Sequence, residues 1–215
     1  NRHAGMVRED NEMAGLTSDF DRESYCRVVE RAREYIAAGD IFQVNLSQRF
    51  RLPRRGDPWD IYRCLGRINP APMAAYINCG DLQVVSASPE RFLKVSHGVV
   101  ETRPIKGTRP RGATPEEDAR MRQALWNSDK DRAELVMIVD LERNDLGRVC
   151  VPGTVTGPEL YRIEEYATVF HLVSTVRGRL EEGRSLMDLL KASFPGGSIT
   201  GAPKIRAMEI IEELE

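Results

Sequence analysis

The sequence predicts an α+β fold because its strand-like segments are grouped and do not alternate regularly with helices. Apolar residues recur at helical spacing between Tyr25 and Ile36, and again at Leu135 and Ile138. Between these two regions, four consecutive short apolar segments predict an antiparallel meander: MAAYINCG, LQVVSAS, RFLKVS and VVETRPI. A doubly wound parallel sheet would need a crossover helix between successive strands, so the grouping favours the α+β class.

The individual elements follow from local signals. Gly39 is expected to end the first helix at its C′ position. A period of two then predicts a long strand from Ile41 to Leu52, with an apolar face for the core and a polar face that could line a site. Thr114 and Pro115 mark the start of a helix, because proline is tolerated in a first turn. The remaining predicted elements are helices at 57–68, around 135–141, at 186–192 and from 204 onward, and strands at 150–156 and 169–180.

The composition limits the class of protein. The chain has 215 residues, of which 31 are Lys or Arg and 33 are Asp or Glu, and its formal net charge is -2. Without a basic excess, neither nucleic acid nor an anionic membrane is an expected partner. No apolar run has the length of a membrane span. The cysteines are scattered without a CxxC pair, so we expect neither a zinc site nor a disulfide framework, and a cytoplasmic location with reduced thiols.

The sequence predicts one folded domain over residues 21–215. Residues 1–20 are polar and aperiodic, which is typical of a linker or of the cut end of a preceding region. The last predicted helix reaches Glu215 without Gly, Asn or another cap signal. We therefore expect the domain to be truncated at its C-terminal end.

Two charged residues at predicted strand ends are candidates for catalysis. Glu90 follows a strand and a proline in SPERF, and Lys106 precedes Gly107 in RPIKGTRPR. A glycine lets the backbone approach a ligand closely, and a buried lysine beside it could serve as a nucleophile or a base. A single Glu or Lys is more commonly a solvated surface charge, and that alternative stays open on these residues alone.

A carboxylate pair on a predicted helix is a weak candidate for a metal site. Asp131 and Glu134 lie three residues apart, on one face of the helix. Mg²⁺ prefers oxygen ligands and often takes only one or two protein carboxylates together with water. Acids on a helix surface are far more common than metal ligands, so the pair by itself does not decide between the two.

A glycine-rich loop and a histidine complete the candidates. The segment 196–203, GGSITGAP, leads into the last helix, so its backbone N–H groups could bind a carboxylate or a phosphate. It matches neither the GxGxxG nor the Walker A motif, and an ordinary loop is equally compatible. His171 lies in the apolar strand VFHLVSTV, where a hydrogen-bonded core histidine competes with a role as an acid, a base or a donor to substrate.

Seven segments of the sequence together resemble the chorismate-binding enzyme family, which includes the anthranilate, aminodeoxychorismate, isochorismate and salicylate synthases. They occur in the family's order, from about Tyr25 to the end of the chain. The resemblance implies a layered sandwich of largely antiparallel sheets flanked by helices, and a chorismate-binding catalytic domain over residues 21–215. The segments are GDIFQVNLSQRF, NPAPMAAYI, SASPERFL, TRPIKGTRPRG, DRAELVMIVDLERNDLGRV, HLVSTVRG and FPGGSITGAPKIRAMEIIEELE.

Two positions indicate the branch of the family. Isochorismate and salicylate synthases carry a lysine base for an attacking water where this chain has Gln43, so a water-adding reaction is disfavoured. Anthranilate synthases typically have PIAGT where this chain has PIKGT, and Lys106 there is similar to the aminodeoxychorismate synthase component I branch. The resemblance therefore implies amination of chorismate to 4-amino-4-deoxychorismate, a precursor of p-aminobenzoate and folate. Anthranilate synthase component I and an inactive chorismate-binding fragment are the alternatives.

The resemblance also implies roles within the site. Lys106 is the expected nucleophile, Glu90 the general acid and Glu134 a ligand of Mg²⁺, while ammonia is expected from a glutamine amidotransferase, component II. Family members continue beyond the position of Glu215 with further metal-binding glutamates, so this chain alone is expected to have negligible turnover. The expected substrate-binding residues are Gln43, Thr108, His171, Gly196, Gly197, Ser198 and Thr200.

Overall fold

The computed structural model describes residues 15–53 and 56–215. This part of the chain forms helices and antiparallel sheets, so the α+β prediction is confirmed. Its helices are α1 (Arg22–Ala38), α2 (Pro58–Ile68), α3 (Pro115–Trp126), α4 (Asp129–Gly147), α5 (Leu186–Ser193) and α6 (Lys204–Leu214), with a 3-10 turn at Gly197–Ile199. Its strands are β1 (Thr17–Ser18), β2 (Gln43–Val44), β3 (Phe50–Arg51), β4 (Met73–Asn78), β5 (Gln83–Ser88), β6 (Arg91–Ser96), β7 (Val99–Arg103), β8 (Ile105–Pro110), β9 (Thr156–Glu165), β10 (Val169–Arg179) and β11 (Gly201–Ala202).

The largest sheet is organised around β10, and all of its strand pairs are antiparallel. β10 pairs with β9 along one edge. Its other edge pairs with β8 and then with β7, two consecutive segments separated by Pro104. Proline has no N–H to donate to a ladder, so the strand is interrupted at that residue. β6 extends the sheet beyond β7. Lys106 is therefore carried by β8, two residues after the interruption.

Helices α3 and α4 pack against this sheet and enclose two buried clusters. Each aliphatic or aromatic side chain that is fully buried there stabilises the fold by about 1.5–3 kcal/mol. This packing holds α4 beside β8, which places acidic residues of the helix near Lys106. The first cluster comprises Val100, Val139, Leu146, Val149, Cys150, Val176 and Leu189. The second comprises Leu125, Leu135, Phe170 and Leu172.

Several helix ends follow the predicted cap signals. The carboxylate of Asp21 accepts a hydrogen bond from the backbone N–H of Ser24 at 2.7 Å, at the start of α1. Gly39 ends that helix in the left-handed conformation, with φ of 84°. At the start of α3, the hydroxyl of Thr114 accepts from the N–H of Glu117 at 3.2 Å. The predicted end at Gly39 and the predicted start at Thr114 are confirmed.

The predicted long strand at 41–52 is wrong. β2 pairs with β11 and β3 pairs with β1, so the segment changes its partner part-way along. Between the two strands, the N–H of Asn45 donates to the carbonyl of Thr200 at 2.7 Å. Phe42, on the supposed apolar face, is 75% exposed. Alternation is a local property, whereas a continuous ladder needs a partner strand along its whole length, and the fold supplies none here.

The predicted strand at 150–156 is also wrong, and the sequence does not predict β9. A turn at Pro152 occupies the predicted region, closed by the N–H of Thr154, which donates to the carbonyl of Val151 at 3.1 Å. β9 begins only at the end of it. Most of the residues of β9 are exposed, so the strand lacks the apolar alternation by which strands are recognised.

The predicted meander is confirmed as β4 to β7, but it is divided between two sheets. β4 and β5 form a hairpin of their own, against which α2 packs, while β6 and β7 belong to the large sheet. None of the helices in the described part of the chain combines the length and apolarity that a membrane span requires. The linker predicted at residues 1–20 lies mostly outside the described residues, and Thr17–Ser18 within it forms β1.

Candidate active site

A cavity of about 450 Å³ lies between the turn that joins β5 to β6, strand β8, helix α4 and the glycine-rich loop before α6. Its volume suits a small organic molecule. Glu90 and Lys106, the two predicted catalytic residues, line it together, although Glu90 lies in the turn after β5 and Lys106 lies on β8. The wall combines carboxyl groups, an amine and aromatic rings, and its main side chains are Glu90, Phe92, Lys106, Glu142, Phe194 and Ser198.

Lys106 reaches the cavity from β8. Its ammonium donates a hydrogen bond to the carbonyl of Ser198 at 3.3 Å and lies 4.0 Å from a carboxylate oxygen of Glu134. The next residue, Gly107, has φ of 82°, and a Cβ at that position would lie 2.9 Å from the side chain of Asp131. Glycine therefore lets β8 approach α4 closely, which brings Lys106 and Glu134 together.

Glu90 lies in the turn between β5 and β6. The backbone N–H of Ile105 donates to its Oε2 at 3.2 Å. Burial raises the pKa of this carboxyl above its ordinary value, although the Ser198 hydroxyl, the Ile105 N–H and the Lys106 ammonium oppose the shift. A glutamic acid in this environment keeps its proton to higher pH than a solvated one, so it suits the role of a general acid.

The glycine-rich loop contributes Gly196 and Ser198 to the cavity wall. The carbonyl of Ser198 accepts hydrogen bonds from the amine of Lys106 and from the side-chain amide of Asn45, the latter at 3.2 Å. Asn45 was not singled out from the sequence, because an amide in an alternating segment gives no signal of its own. These two bonds tie the loop to β8 and to the segment after β2.

Gly197 and Thr200 shape the same loop from within. A Cβ at Gly197 would lie 2.8 Å from the side chain of Leu141, so the loop packs directly on α4. The hydroxyl of Thr200 is buried and donates to the carbonyl of Gly196 at 3.0 Å. Gly197 therefore lets the loop pack on the helix, and Thr200 stabilises the loop internally. The contact of both residues with a substrate stays a prediction.

Thr108 and His171 form a pair next to the cavity. They are cross-strand neighbours in β8 and β10, and the Thr108 hydroxyl lies 2.9 Å from Nδ1 of His171. Burial lowers the pKa of His171, while the Glu164 carboxylate and a backbone contact at Gly107 oppose the shift. The imidazole is therefore mainly neutral at pH 7, and it can donate or accept a hydrogen bond. Neither side chain of the pair lines the 450 Å³ cavity.

Gln43 lies beside the end of the glycine-rich loop. It belongs to β2, where it pairs with Ala202 of β11. Its side chain is half-buried and does not line the cavity. The fold therefore brings Gln43 near the loop that forms the cavity wall, and its contact with a substrate stays a prediction.

Comparison with known proteins decides the family. The family model described as chorismate binding enzyme matches residues 3–215, almost the whole chain. The chain belongs to the chorismate-binding enzyme family. The cavity is thus the candidate functional site of a member of this family.

Family members with two different reactions resemble the chain to a similar degree. Aminodeoxychorismate synthase component 1 of Klebsiella aerogenes is 54% identical over 198 residues, which cover 92% of this chain and 44% of the relative. Anthranilate synthase component 1 of Aquifex aeolicus is 48% identical over 210 residues, which cover 98% of this chain and 42% of the relative. Overall identity therefore does not distinguish the two reactions, and the chain spans less than half the length of these curated relatives.

A solved structure supports the fold assignment. Anthranilate synthase component I from Streptococcus pneumoniae superposes with a TM-score of 0.82 at 40% identity, covering 96% of this chain and 46% of that chain. The expected family architecture is thereby confirmed. The structural match, like the sequence matches, extends over less than half of the relative.

One further residue lines the cavity, and it was not predicted from the sequence. Glu142 of α4 is 8% exposed and accepts a hydrogen bond at Oε2 from the hydroxyl of Thr102, at 3.1 Å. Burial raises the pKa of Glu142 to about 8, and the carboxylates of Glu90 and Asp145 add to the shift. The sequence signal that could have identified it is a glutamate on the same face of the helix as the apolar residues that pack in the core.

Glu134 of α4 is the carboxylate predicted to bind a divalent cation. Asp131 forms an ion pair with Arg109 at 2.9 Å, which leaves Glu134 as the acid beside Lys106. Within residues 15–53 and 56–215, no group of three or more His, Cys, Asp or Glu side chains is close enough to hold a metal ion. Mg²⁺ often binds one protein carboxylate together with water and substrate oxygens, so Glu134 fits a partial ligand set.

Proposed function

We propose that this chain carries the chorismate-amination site of an aminodeoxychorismate synthase component I. The reaction would convert chorismate and ammonia into 4-amino-4-deoxychorismate. The observation that supports it is the meeting of Lys106 and Glu90 at one cavity, since an amine nucleophile and a carboxylic acid are the two groups that the reaction needs. Alanine in place of Lys106, as in PIAGT sequences, would offer no nucleophile.

Lys106 and Glu90 would divide the chemistry between them. The deprotonated amine of Lys106 attacks C2 of chorismate and forms a C–N bond, while both conjugated ring double bonds shift and the C4–O bond breaks. The departing hydroxyl takes the proton of Glu90 and leaves as water. Ammonia then adds at C4, both double bonds shift back, and the lysine amine is released from C2. The proton lost by the attacking ammonia returns to Glu90 and restores the acid.

The loop and the neighbouring strand would position the ring. The hydroxyl of Ser198 and the backbone amides of Gly196 and Gly197 are the proposed partners of a substrate carboxylate. The pair formed by Thr108 and His171 would contact the substrate from the side of β8 and β10. These contacts would hold the ring with C2 toward the amine of Lys106. Correct orientation of the two reacting groups lowers the activation barrier.

Mg²⁺ is the proposed cofactor, and when bound it would neutralise a carboxylate of chorismate. Glu134→Gln in the complete protein that carries this chain should then raise the Mg²⁺ concentration for half-maximal activity by about tenfold or more, because a hard cation loses an anionic ligand. The measurement is activity across a Mg²⁺ titration. Asp140→Asn, an exposed acid on the same helix, should leave the requirement unchanged. An unaltered titration for Glu134→Gln would show that this residue is not a ligand.

Glu90→Gln tests the general acid. We expect kcat to fall by about 10²–10⁴-fold, with chorismate affinity within a few-fold of the original, because the amide cannot give its proton to the leaving hydroxyl. The active form of Glu90 is protonated, and its pKa is raised, so the original enzyme loses activity as pH rises through that value. Measured as kcat at saturating chorismate, the variant should lack this alkaline decline. A variant with an unchanged pH profile and rate would remove Glu90 from the mechanism.

A partner is part of the proposal. The name component 1, carried by the Klebsiella aerogenes relative, implies a second component. We propose that a glutamine amidotransferase supplies the ammonia, in the cytoplasm, and that the product is used for p-aminobenzoate and folate. Activity with glutamine that requires the added amidotransferase, and activity with ammonium salts that does not, would support this arrangement.

Anthranilate synthase component I is the second candidate function, which the Aquifex aeolicus and Streptococcus pneumoniae relatives favour. The products separate the two reactions. The complete protein is incubated with chorismate, Mg²⁺ and ammonium, and the products are separated chromatographically. Aminodeoxychorismate supports the proposal, whereas anthranilate with pyruvate overturns it. The third candidate, a chain that binds chorismate without turnover, is identified by a heat of binding in calorimetry and no product.

A further inference from the structure

Glu142 is a carboxyl group in the cavity wall to which the proposed mechanism assigns no step. It is held there by α4, whose next turn buries Leu146 in the core. The hydroxyl of Thr102 on β7 donates to its Oε2, which leaves Oε1 as the oxygen without that bond. The aromatic rings of Phe92 and Phe194 line the same cavity, so the surroundings of the carboxyl are partly apolar.

The charges around the cavity determine whether Glu142 can face an anionic ligand as an ionised or as a protonated carboxyl group. Chorismate carries two carboxylates, and among the described residues Lys106 is the cation that lines the cavity. The ammonium of Lys106 already lies 4.0 Å from the carboxylate of Glu134. Ionised Glu90 and Glu142 would add two negative charges and repel a dianion strongly at this low dielectric. A protonated Glu142 removes one of those charges and adds a hydrogen-bond donor.

We infer that Glu142 is a substrate-binding residue, which stays protonated and donates a hydrogen bond from Oε1 to a carboxylate of chorismate. The identity of the ligand rests on the proposed function. A protonated carboxyl has one O–H to donate, whereas the ionised form has acceptors alone, so the contact exists only in the neutral form. The buried position, with a pKa of about 8, keeps that form dominant at pH 7.

The charged groups that face Glu142 come from several elements. Glu90 from the β5–β6 turn and Asp145 from α4 itself raise its pKa, while Lys106 from β8 lowers it. Asp145 is in turn paired with Lys204 of α6 at 2.6 Å. All of these groups remain in a Glu142 variant, so their titration affects the pH profile of binding equally in the wild-type protein and in the variant. A difference between the two pH profiles therefore reports on Glu142.

Binding of chorismate, measured by calorimetry on the complete protein between pH 7 and pH 9, gives the first test. With a pKa of about 8, the protonated fraction of Glu142 falls about tenfold over this range, and the affinity should fall by about the same factor. Glu142→Gln keeps a donor at every pH, so its affinity should be retained and should lack that decline. Glu142→Met, without a donor, should bind weakly throughout.

Thr102→Val refines the test, because it alters Glu142 without replacing it. The Thr102 hydroxyl stabilises the ionised form, so its loss should move the alkaline decline in affinity to higher pH. Damage to the site would instead weaken binding at all pH values. The donor role would be overturned if the affinity of the wild-type protein and of Glu142→Gln depended on pH in the same way. It would also be overturned if the decline in affinity moved to lower pH in Thr102→Val.

Infrared difference spectroscopy tests the protonation state without a substrate. The original protein at pH 7 should show a carbonyl band of a protonated carboxyl that is absent in Glu142→Gln and unchanged in Asp140→Asn. No such difference would mean that Glu142 is ionised, and the inference would fail. A band that disappears when Mg²⁺ is added would make Glu142 a metal ligand, which also overturns it. If the band is present but the original protein binds no chorismate at any pH, the proposed function fails, and the donor role fails with it.

Discussion

Replacing Lys106 with alanine is expected to lower the rate of chorismate amination by on the order of 10³-fold or more. Loss of a covalent nucleophile commonly costs at least this much in an enzyme that keeps its binding groups. The cavity itself should persist, because Lys106 is one of several residues in its wall. Packing between α4 and the glycine-rich loop forms the neighbouring part of that wall. The measurement is the steady-state rate of aminodeoxychorismate formation with ammonium as the nitrogen source.

Mass spectrometry separates a nucleophilic role for Lys106 from a purely electrostatic one. Chorismate and Mg²⁺ without ammonia should leave a chorismate-derived adduct on Lys106 of the intact protein. Lys106→Arg keeps the positive charge but should form no adduct and should not restore the rate. Lys94→Ala, an exposed lysine on β6, serves as the matched control and should change neither readout. Substantial activity in Lys106→Arg, together with no adduct on the original protein, would reject the covalent route and favour the anthranilate synthase alternative.

Replacing Lys204 with methionine is expected to lower the free energy of unfolding by about 3–5 kcal/mol. The ammonium of Lys204 lies 2.6 Å from the carboxylate of Asp145, and the two side chains are 10% and 6% exposed. Removing the lysine leaves a buried carboxylate without its cation, which is far more costly than losing a solvated pair. The pair joins α4 to the first residue of α6, so it also holds the end of the glycine-rich loop. Urea unfolding measures the change.

Two further variants control this stability measurement. Arg143→Met removes the exposed partner of Asp140 on the same helix, and it should cost less than about 1 kcal/mol. The double variant Asp145→Leu with Lys204→Met should recover much of the lost stability, because apolar side chains of similar volume often replace a buried ion pair without loss. A cost below about 1 kcal/mol for Lys204→Met alone would mean that the pair is effectively solvated.

Local sequence determined the helices and the family. The end of α1 at Gly39 and the start of α3 at Thr114 were predictable because a cap depends on a few neighbouring residues. The motifs that identify the family are likewise contiguous segments, and the order of these segments along the chain was sufficient. Glu90 and Lys106 were candidates for the same reason, since each lies at the end of a predicted strand within a recognisable motif.

The tertiary structure alone decided how strands pair and which groups share the cavity. The alternating segment at 41–52 was divided between two partners, because ladder partners come from distant parts of the chain. Asn45 likewise contacts Ser198, a residue far from it along the sequence. Glu142 became a cavity residue with a pKa near 8 only through burial and the nearby carboxylates, since the environment of an ionisable group is set by what packs around it. Sequence order carries no information about that environment, which is why the protonation state of the site had to come from the fold.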